Sequence, residues 1–133
     1  MATLASGLVF SLDQFRWNNR IIILYDHTIG SKTIQDQLAT FQGQESELTE
    51  RKLIIIGSTQ DGAYYLFKDN TFQSTPITSS KNLYHDGSAY TFNLIGLDGG
   101  VKHTSKAIVS TEELLVIIDG MPMRRSELRG RGK

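Results

Sequence analysis

The segment RIIILY, residues 20–25, is a short and almost wholly apolar run that is rich in β-branched residues. A strand that is covered on both faces has this composition, because neither of its faces meets water. The segment LIII, residues 53–56, repeats the pattern and ends at Gly57 and Ser58. Both segments are therefore predicted to be central strands of one sheet.

The residues between these strands carry a helical pattern. Apolar residues recur at i, i+4 and i+7, on one helix face: Ile34, Leu38 and Phe41. Thr33 with Asp36 is interpreted as an N-cap pair and Gly43 as a stop, and residues 45–52 are expected to form a second helical turn. A strand, a helix and a strand at this spacing form a βαβ unit, so the two strands are predicted to be parallel.

Residues 61–90 leave alternatives open. Residues 64–72 could form a hairpin or an irregular helix and loop, and residues 76–85 resemble a helix capped by Thr78 or Ser79. The hairpin signal is clearer further on, where strand-like residues 90–97 and 101–105 flank an Asp-Gly-Gly turn that permits positive φ.

A capping box formed by Ser110 and Glu113 opens the last predicted helix. The predicted order is therefore β-α-β-α-β-β-α, an α/β chain with a mixed central sheet of about four strands. A parallel βαβ half followed by a hairpin and a helix is the thioredoxin-like arrangement, a three-layer sandwich.

Composition and charge indicate one globular domain. The chain has 133 residues and a net charge of zero, enough length to bury a core without disulfides or metals. Residues 1–123 are interpreted as the domain, and residues 124–133 as a basic tail with five cations against Glu127. Chain ends are usually solvated and frayed, which is the conformation expected for this tail. No apolar run is long enough to cross a membrane.

Four segments resemble the DUDES-type domain family, named after equarin and sushi-repeat-containing extracellular proteins and rich in bacterial single-domain members: residues 15–20, 50–51, 94–102 and 119–125. The signature residues are Trp17, Arg20, Arg51, Gly99, Gly100, Asp119, Met121, Pro122 and Met123. The resemblance implies a thioredoxin-like fold of unestablished activity. It also implies a periplasmic or extracellular location, although no signal peptide is expected in this chain, so its location remains unassigned.

Cysteine is absent from the chain. In a redox-active thioredoxin fold the reactive cysteines stand just after the first strand, where the start of the next helix stabilises a thiolate. The matching residues, 26–31, contain none, and no proline stands just before Phe92, where thioredoxins keep a cis-proline. Thiol–disulfide exchange and thiol peroxidase activity are therefore excluded for these residues.

Candidate binding residues follow the first strand: Asp26, His27, Ser31 and Lys32. The run departs from a phosphate-binding loop, because Ser31 separates Gly30 from Lys32, but helix amides with Lys32 could hold a small anion. Asp26 and His27 could serve as an acid/base pair or as metal ligands. Adjacent residues on an extended segment face opposite sides, however, and the other histidines share no ligand spacing with them. No cofactor or metal is predicted.

Two further positions carry a structural and a functional interpretation. Arg124 and Arg125 could pair with Asp119 or another acid while the methionines fill a gap in the core, or they could contact an anion or a partner. Trp17 could be a hydrophobic anchor leading into the first strand, or an exposed ring on which a ligand stacks.

The sequence thus favours a non-catalytic binding or interaction module. Its partner would be an unknown protein or a small anionic ligand contacted by the surface at Asp26 to Lys32 with Arg124 and Arg125, and nucleic acid is disfavoured. The alternative is an enzyme that uses Asp26 and His27 at the position of the thioredoxin active site, with or without a metal.

Overall fold

The computed structural model describes residues 10–11, 15–60, 63–69, 71–74, 77–78 and 89–131. These residues form short and long strands and four helices. They are β1 (Phe10–Ser11), β2 (Arg20–Asp26), α1 (Lys32–Ala39), α2 (Glu45–Glu50), β3 (Leu53–Thr59), β4 (Tyr64–Lys68), β5 (Thr71–Ser74), β6 (Ile77–Thr78), β7 (Thr91–Ile95), β8 (Val101–Ser105), α3 (Thr111–Asp119) and α4 (Pro122–Arg131).

A mixed six-stranded sheet forms the centre of the fold, in the order β5-β4-β3-β2-β7-β8. β2 and β3 run parallel along their whole length, from the pair Arg20–Leu53 to the pair Asp26–Thr59. The remaining neighbours in this sheet are antiparallel. The parallel βαβ unit and the later hairpin are confirmed. β1 and β6 pair separately as two short parallel strands.

The sheet has six strands rather than about four because residues 64–74 form a hairpin. β4 pairs with β3 on the side away from β2, and β5 pairs with β4. Of the two interpretations left open for residues 64–72, the hairpin is the one that the structure shows. The helix predicted within residues 76–85 lies beyond Thr78 outside the described residues, and Ile77 and Thr78 form β6.

Both faces of β2 are buried, as its apolar composition predicted. Ile22 and Leu24 point to a first face, where α1, α2 and α3 pack against the sheet. Ile21 and Ile23 point to the second face, where they contact Ile56 and Ile95 of the neighbouring strands.

α1 begins at a different cap from the one predicted. The Ser31 hydroxyl accepts a hydrogen bond from the Ile34 amide at 3.1 Å, so the assignment of Thr33 with Asp36 as the cap pair was wrong. The reason is local geometry, because a cap hydroxyl bonds the amide two or three residues further on and the helix starts at Lys32. The predicted cap of α3 is confirmed, since the Ser110 hydroxyl accepts from the Glu113 amide.

The expectation of a frayed tail was wrong for residues 124–131, which are helical, although Arg125, Ser126, Leu128 and Arg129 are exposed as expected. Gly120 caps α3, and Pro122 then begins α4, which continues to Arg131. Proline is well suited to the first helical position because the missing N–H needs no partner there. Arg124 is only 1% exposed, since its guanidinium is paired with acidic side chains of the folded domain.

Candidate functional site

The carboxyl end of the sheet, where β2 and β3 stop, carries the first group of candidate residues. Asp26 accepts hydrogen bonds from the His27 amide and from the Ser31 hydroxyl, both at 2.8 Å. Ser31 in turn accepts from the Ile34 amide. The Asp26 carboxylate and the Ser31 hydroxyl therefore hold the loop between β2 and α1 in one conformation.

Lys32 forms an exposed ion pair with Asp36 on the same helix. Its ammonium group lies 3.2 Å from both carboxylate oxygens of Asp36, one helical turn further along α1. The Ile34 amide is already bonded to the Ser31 hydroxyl. In this arrangement one of the first amides of α1 is taken up by the cap, and the Lys32 ammonium group is paired with Asp36.

The surroundings of Asp26 and His27 include Ser31, which donates to Asp26, and the Tyr25 ring. His27 is exposed, and its ring meets the Tyr25 ring edge-on at 6.5 Å between centroids. His103 lies on β8, 3.9 Å from Glu113 of α3, and His85 is outside the described residues. Within the described part of the chain, no group of three or more His, Asp or Glu side chains could hold a metal ion.

A buried hydrogen-bond network lies behind this loop and was missed by the sequence analysis. Gln37 of α1 is fully buried, and its carbonyl oxygen accepts from the Tyr90 hydroxyl at 2.6 Å and from the Val109 amide at 2.9 Å. Its amide group donates to the Val109 carbonyl. Burial, followed by the charge of Asp26, raises the pKa of Tyr90. The available signal was the position of Gln37, three residues after Ile34 on the apolar helix face.

The amino end of the sheet, where β2 and β3 begin, brings together the four segments that carry the family resemblance. The Trp17 amide donates to the Leu97 carbonyl at 2.6 Å, which joins the first segment to the β7–β8 hairpin. The Arg20 amide donates to the Lys52 carbonyl. Arg51 then pairs with Asp119 at the end of α3.

Two arginines at this end share one carboxylate. Arg51 binds Asp119 in a bidentate manner, with Nε–Oδ1 and Nη2–Oδ2 distances of 3.0 and 2.9 Å. Arg124 binds the same Oδ1 at 3.1 Å, and it also binds Glu50 at 2.9 Å and Glu127 at 3.2 Å. The predicted pairing of an arginine with Asp119 is therefore observed. Met121 packs against the core as expected, but Met123 is 40% exposed, so the expectation that it fills a core gap was wrong.

These pairings keep Asp119, Arg51 and Arg124, here called the arginine cluster, in their ionised forms. The hydrogen bond from Arg51, and then that from Arg124, lower the pKa of Asp119 despite its partial burial. Burial acts to lower the pKa of Arg124, but hydrogen bonds to Glu50, Asp119 and Glu127 outweigh it and raise that pKa. A carboxylate that is held ionised by two guanidinium groups is a poor proton donor or acceptor.

Arg20 is a third arginine, adjoins the arginine cluster and is 1% exposed. Its Nη1 donates to the Arg51 carbonyl at 2.9 Å and lies 3.5 Å from Glu127. Its Nε and Nη2 are buried without a hydrogen-bond partner among the described residues. Burial lowers the pKa of Arg20.

Trp17 does not act as the hydrophobic anchor that was expected. It is 57% exposed, and its backbone has a left-handed φ of 70°. The Arg16 guanidinium lies over the indole ring, 5.3 Å from the ring centroid. Phe15 instead packs against the second face of the sheet.

A tight turn lies beside Trp17. Asp98 accepts hydrogen bonds from the Gly100 amide at 2.9 Å and from the Lys102 ammonium group at 3.0 Å, which together lower its pKa. Gly99 has a φ of 85°, and a side chain added there would meet Arg16 at 3.6 Å. The turn and Arg16 are thus packed against each other.

The candidate residues from the sequence do not form one surface. Asp26, His27, Ser31 and Lys32 lie at the carboxyl end of β2, whereas Arg124 and its neighbour Arg125 lie at the amino end. A strand of seven residues spans roughly 20 Å, so the two groups are about that far apart. Arg124 is occupied by internal ion pairs, and Arg125 is exposed on α4.

The fold defines the class of protein. A parallel βαβ unit, followed by an antiparallel hairpin that pairs with the first strand of the unit, is thioredoxin-like. The reduced 2-Cys peroxiredoxin of Plasmodium vivax is similar over 88% of this chain and 84% of its own, with a TM-score of 0.55 and 17% identity. Thioredoxin peroxidase I of Plasmodium yoelii is similar over 86% and 79%, with a TM-score of 0.53 and 17% identity. At this identity the likeness shows the fold alone.

Within that class, the chain belongs to the family described as a domain of unknown function (DUF4174), whose model matches residues 11–127. None of the curated proteins compared matches the chain. In the part of the chain that the structure describes, no helix has both the length and the apolar character needed to cross a bilayer.

Proposed function

We propose that this chain is a non-catalytic binding module built on a thioredoxin-like scaffold and without thiol chemistry. One observation carries the proposal. At the start of α1, where a redox-active scaffold presents its reactive thiol, the chain has Ser31, whose hydroxyl caps the helix and donates to Asp26. A side chain in that role stabilises the loop instead of reacting.

The rest of the polar groups support the same conclusion. The buried Gln37 and Tyr90 bond to each other and to backbone, and the acids near α4 are paired with arginines. Catalytic sites usually combine perturbed groups with an accessible cleft that leaves them free to react. Here Tyr90, Asp119 and Arg124 are engaged in interactions that stabilise the fold, whereas Arg20 keeps two buried N–H groups without a partner among the described residues.

The non-catalytic part of the proposal is tested by turnover assays on the purified, metal-free chain. We expect no reduction of hydrogen peroxide or of insulin disulfides. Ser31→Cys is the positive control, since a thiol at the start of α1 should react with peroxide, and Ser31→Ala reports the loss of the cap alone. Multiple turnovers by the unsubstituted chain would contradict the proposal.

The enzyme alternative at Asp26 and His27 makes the opposite prediction. It requires an activity that responds to Zn²⁺ or chelator and disappears in His27→Ala. A binding module instead retains a purified partner with a saturable affinity that neither chelator nor thiol-blocking reagent changes. If the chain shows an activity that His27→Ala removes, the enzyme hypothesis is correct and the proposed binding function is wrong.

A further inference from the structure

We infer that the surface formed by Arg16, Trp17, Asp98, Gly99 and Lys102, here called the Trp17 surface, docks an acidic segment of a partner protein. The inference rests on the proposed binding function and assigns it to the amino end of the sheet. This end is opposite the position at which a redox-active thioredoxin fold reacts.

The backbone at Trp17 is the first argument. A φ of 70° is disfavoured for a side chain with a Cβ, and glycine or asparagine would adopt it at lower cost. The conformation is held in place by the hydrogen bond from the Trp17 amide to the Leu97 carbonyl. Strained positions of this kind are found where a side chain must be aimed in a particular direction.

The exposure of the ring is the second argument. Trp17 leaves 57% of its surface in contact with water, whereas Phe15, two residues earlier, provides the packing onto the sheet. Most of the indole therefore contributes little to the core. Trp17 thus combines a strained backbone with an exposed ring, and neither stabilises the fold. Binding explains this combination better than folding does, since tryptophan is a frequent anchor of protein interfaces.

The surface is also organised before any partner arrives. The Arg16 guanidinium lies over the indole, and the same side chain would meet a Cβ placed on Gly99. Arg16 is thus held between the ring and the turn. A side chain that is already positioned loses little conformational entropy on binding, which strengthens the interaction.

The charges of the surface indicate the chemistry of the partner. Both carboxylate oxygens of Asp98 are engaged, by the Gly100 amide and by Lys102. The positive charge of Arg16 acts on Asp98 from a distance and contributes to the lowered pKa of that carboxyl, but none of the described carboxylates forms an ion pair with Arg16 within 4.0 Å. A carboxylate of the partner could bind Arg16 while an adjacent apolar side chain packs on Trp17. An acidic peptide segment with an aliphatic or aromatic residue has both groups, and a neutral sugar would leave the cation unused.

Trp17 is the only tryptophan in the chain, so its fluorescence reports directly on this surface. The probe is a set of synthetic 12-residue peptides selected from a random phage-displayed library on the whole chain. We expect the selected peptides to combine Asp or Glu with a neighbouring apolar residue. They should shift the emission of Trp17 towards shorter wavelength, because binding removes water from the ring.

Substitutions locate the binding site. Calorimetric titration measures the variants, since Trp17→Gly lacks the fluorophore. Arg16→Glu should weaken peptide binding at least tenfold, and Trp17→Gly should abolish it. Glycine adopts the left-handed φ of this position without strain, so Trp17→Gly should melt no lower than the unsubstituted chain, which would show that the loss of binding is not due to unfolding. Val116→Ala is the matched control, because this apolar residue of α3 is 73% exposed elsewhere on the surface.

Two outcomes would overturn the inference. Peptides that bind Trp17→Gly as well as the unsubstituted chain would place docking elsewhere and leave the binding function intact. The second outcome is that uronic-acid oligosaccharides bind at Trp17 while no peptide is selected above the level found on Trp17→Gly. In that case the partner would be a carbohydrate and not a protein. Peroxide or disulfide turnover, in contrast, would remove the proposed function itself.

Discussion

At the scale of single residues, Gly57 shows how one small side chain permits two elements to pack. A Cβ on Gly57 would collide with Ile29 Cδ1 and would lie 2.9 Å from Phe72 Cε1. Ile29 belongs to the loop before α1, and Phe72 belongs to β5. Glycine is favoured here by close packing rather than by an unusual φ, and a larger residue would require the Ile29 side chain and the Phe72 ring to move.

We predict that Gly57→Ala lowers the free energy of unfolding by about 1–3 kcal/mol, because an extra methyl group overpacks this contact. Chemical denaturation measures the change. Gly30→Ala is the control, since a Cβ there would meet nothing within 4 Å. The double variant Ile29→Ala/Gly57→Ala should recover part of the loss. Equal effects of the two glycine substitutions would show that packing at Gly57 is not the cause.

At the scale of elements, α4 is held to the domain mainly by charge. Its apolar residues Met123 and Leu128 remain 40% and 38% exposed. Arg124 and Glu127 instead connect it to Asp119 and Glu50, and to Arg20 and Lys52. The docking of α4 therefore depends on the geometry of a few ion pairs. Because its apolar contact with the domain is small, removing one of these ion pairs should weaken the docking strongly.

We predict that Arg124→Met destabilises the fold by about 3 kcal/mol, because removing one partner from a buried ion-pair network leaves the others uncompensated. Arg125→Met is the matched control, since Arg125 is the exposed neighbour on the same helix. Thermal unfolding followed by circular dichroism distinguishes the two. Similar melting temperatures for both variants would mean that the network contributes nothing to the docking of α4.

Asp119 should make this docking sensitive to acid. Hydrogen bonds from Arg51 and Arg124 lower the pKa of Asp119 in the folded state, so its contribution is complete above the unfolded-state pKa of about 3.9. That contribution is lost as the pH falls through the lower folded-state pKa. The stability difference between the unsubstituted chain and Asp119→Asn, measured with urea, should therefore be largest above about pH 5 and should shrink below about pH 3.9.

Asp36→Asn is the control for this pH dependence, because Asp36 forms an exposed pair with Lys32 on α1. Exposed pairs contribute about 0–1 kcal/mol, so this substitution should have little effect at any pH. A difference for Asp119→Asn that stays constant between neutral and acid pH would contradict the assigned role of the arginines.

At the scale of the whole molecule, Gln37 links three parts of the chain that are distant in sequence. Its side chain joins α1 to Tyr90, just before β7, and to Val109, just before α3. The βαβ half and the hairpin-helix half are therefore connected by buried hydrogen bonds as well as by the sheet. Buried polar networks of this kind are stabilising only when every member is satisfied.

The raised pKa of Tyr90 predicts sensitivity to alkali. The folded state keeps the phenol protonated, whereas the unfolded state ionises near pH 10, so the contribution of Tyr90 is present below about pH 10 and is lost above it. The stability advantage of the unsubstituted chain over Tyr90→Phe should therefore be constant up to about pH 9 and decline as the pH rises above about 10. Tyr65→Phe, at a half-buried position on β4, is the control. A constant advantage of the unsubstituted chain over Tyr90→Phe would contradict the assignment.

The sequence predicted those features that depend on local patterns. The two apolar strands, their parallel pairing, the Asp-Gly-Gly hairpin and the Ser110 cap follow from residues close together in the chain. The β4–β5 hairpin stayed ambiguous because its aromatic run fits more than one element. Arg124 was mistaken for part of a tail because its partners Glu50 and Asp119 come from other elements.

The candidate site was predicted less well for the same reason. Asp26 and Ser31 are indeed neighbours, but their separation from Arg124 depends on the direction of β2, which joins the two ends of the sheet. The exposure of Trp17 could not be inferred from its aromatic character, since burial of a ring is decided by tertiary packing.

The hairpin β4–β5 has a consequence for how the chain opens. Because it extends the sheet beyond β3, both parallel strands have a bonded neighbour on each side. Backbone amides in the middle of β2 and β3, such as those of Ile22 and Ile56, can then exchange with deuterium only when the entire domain comes apart. The slowest isotope labelling in the protein should coincide with the two apolar strands.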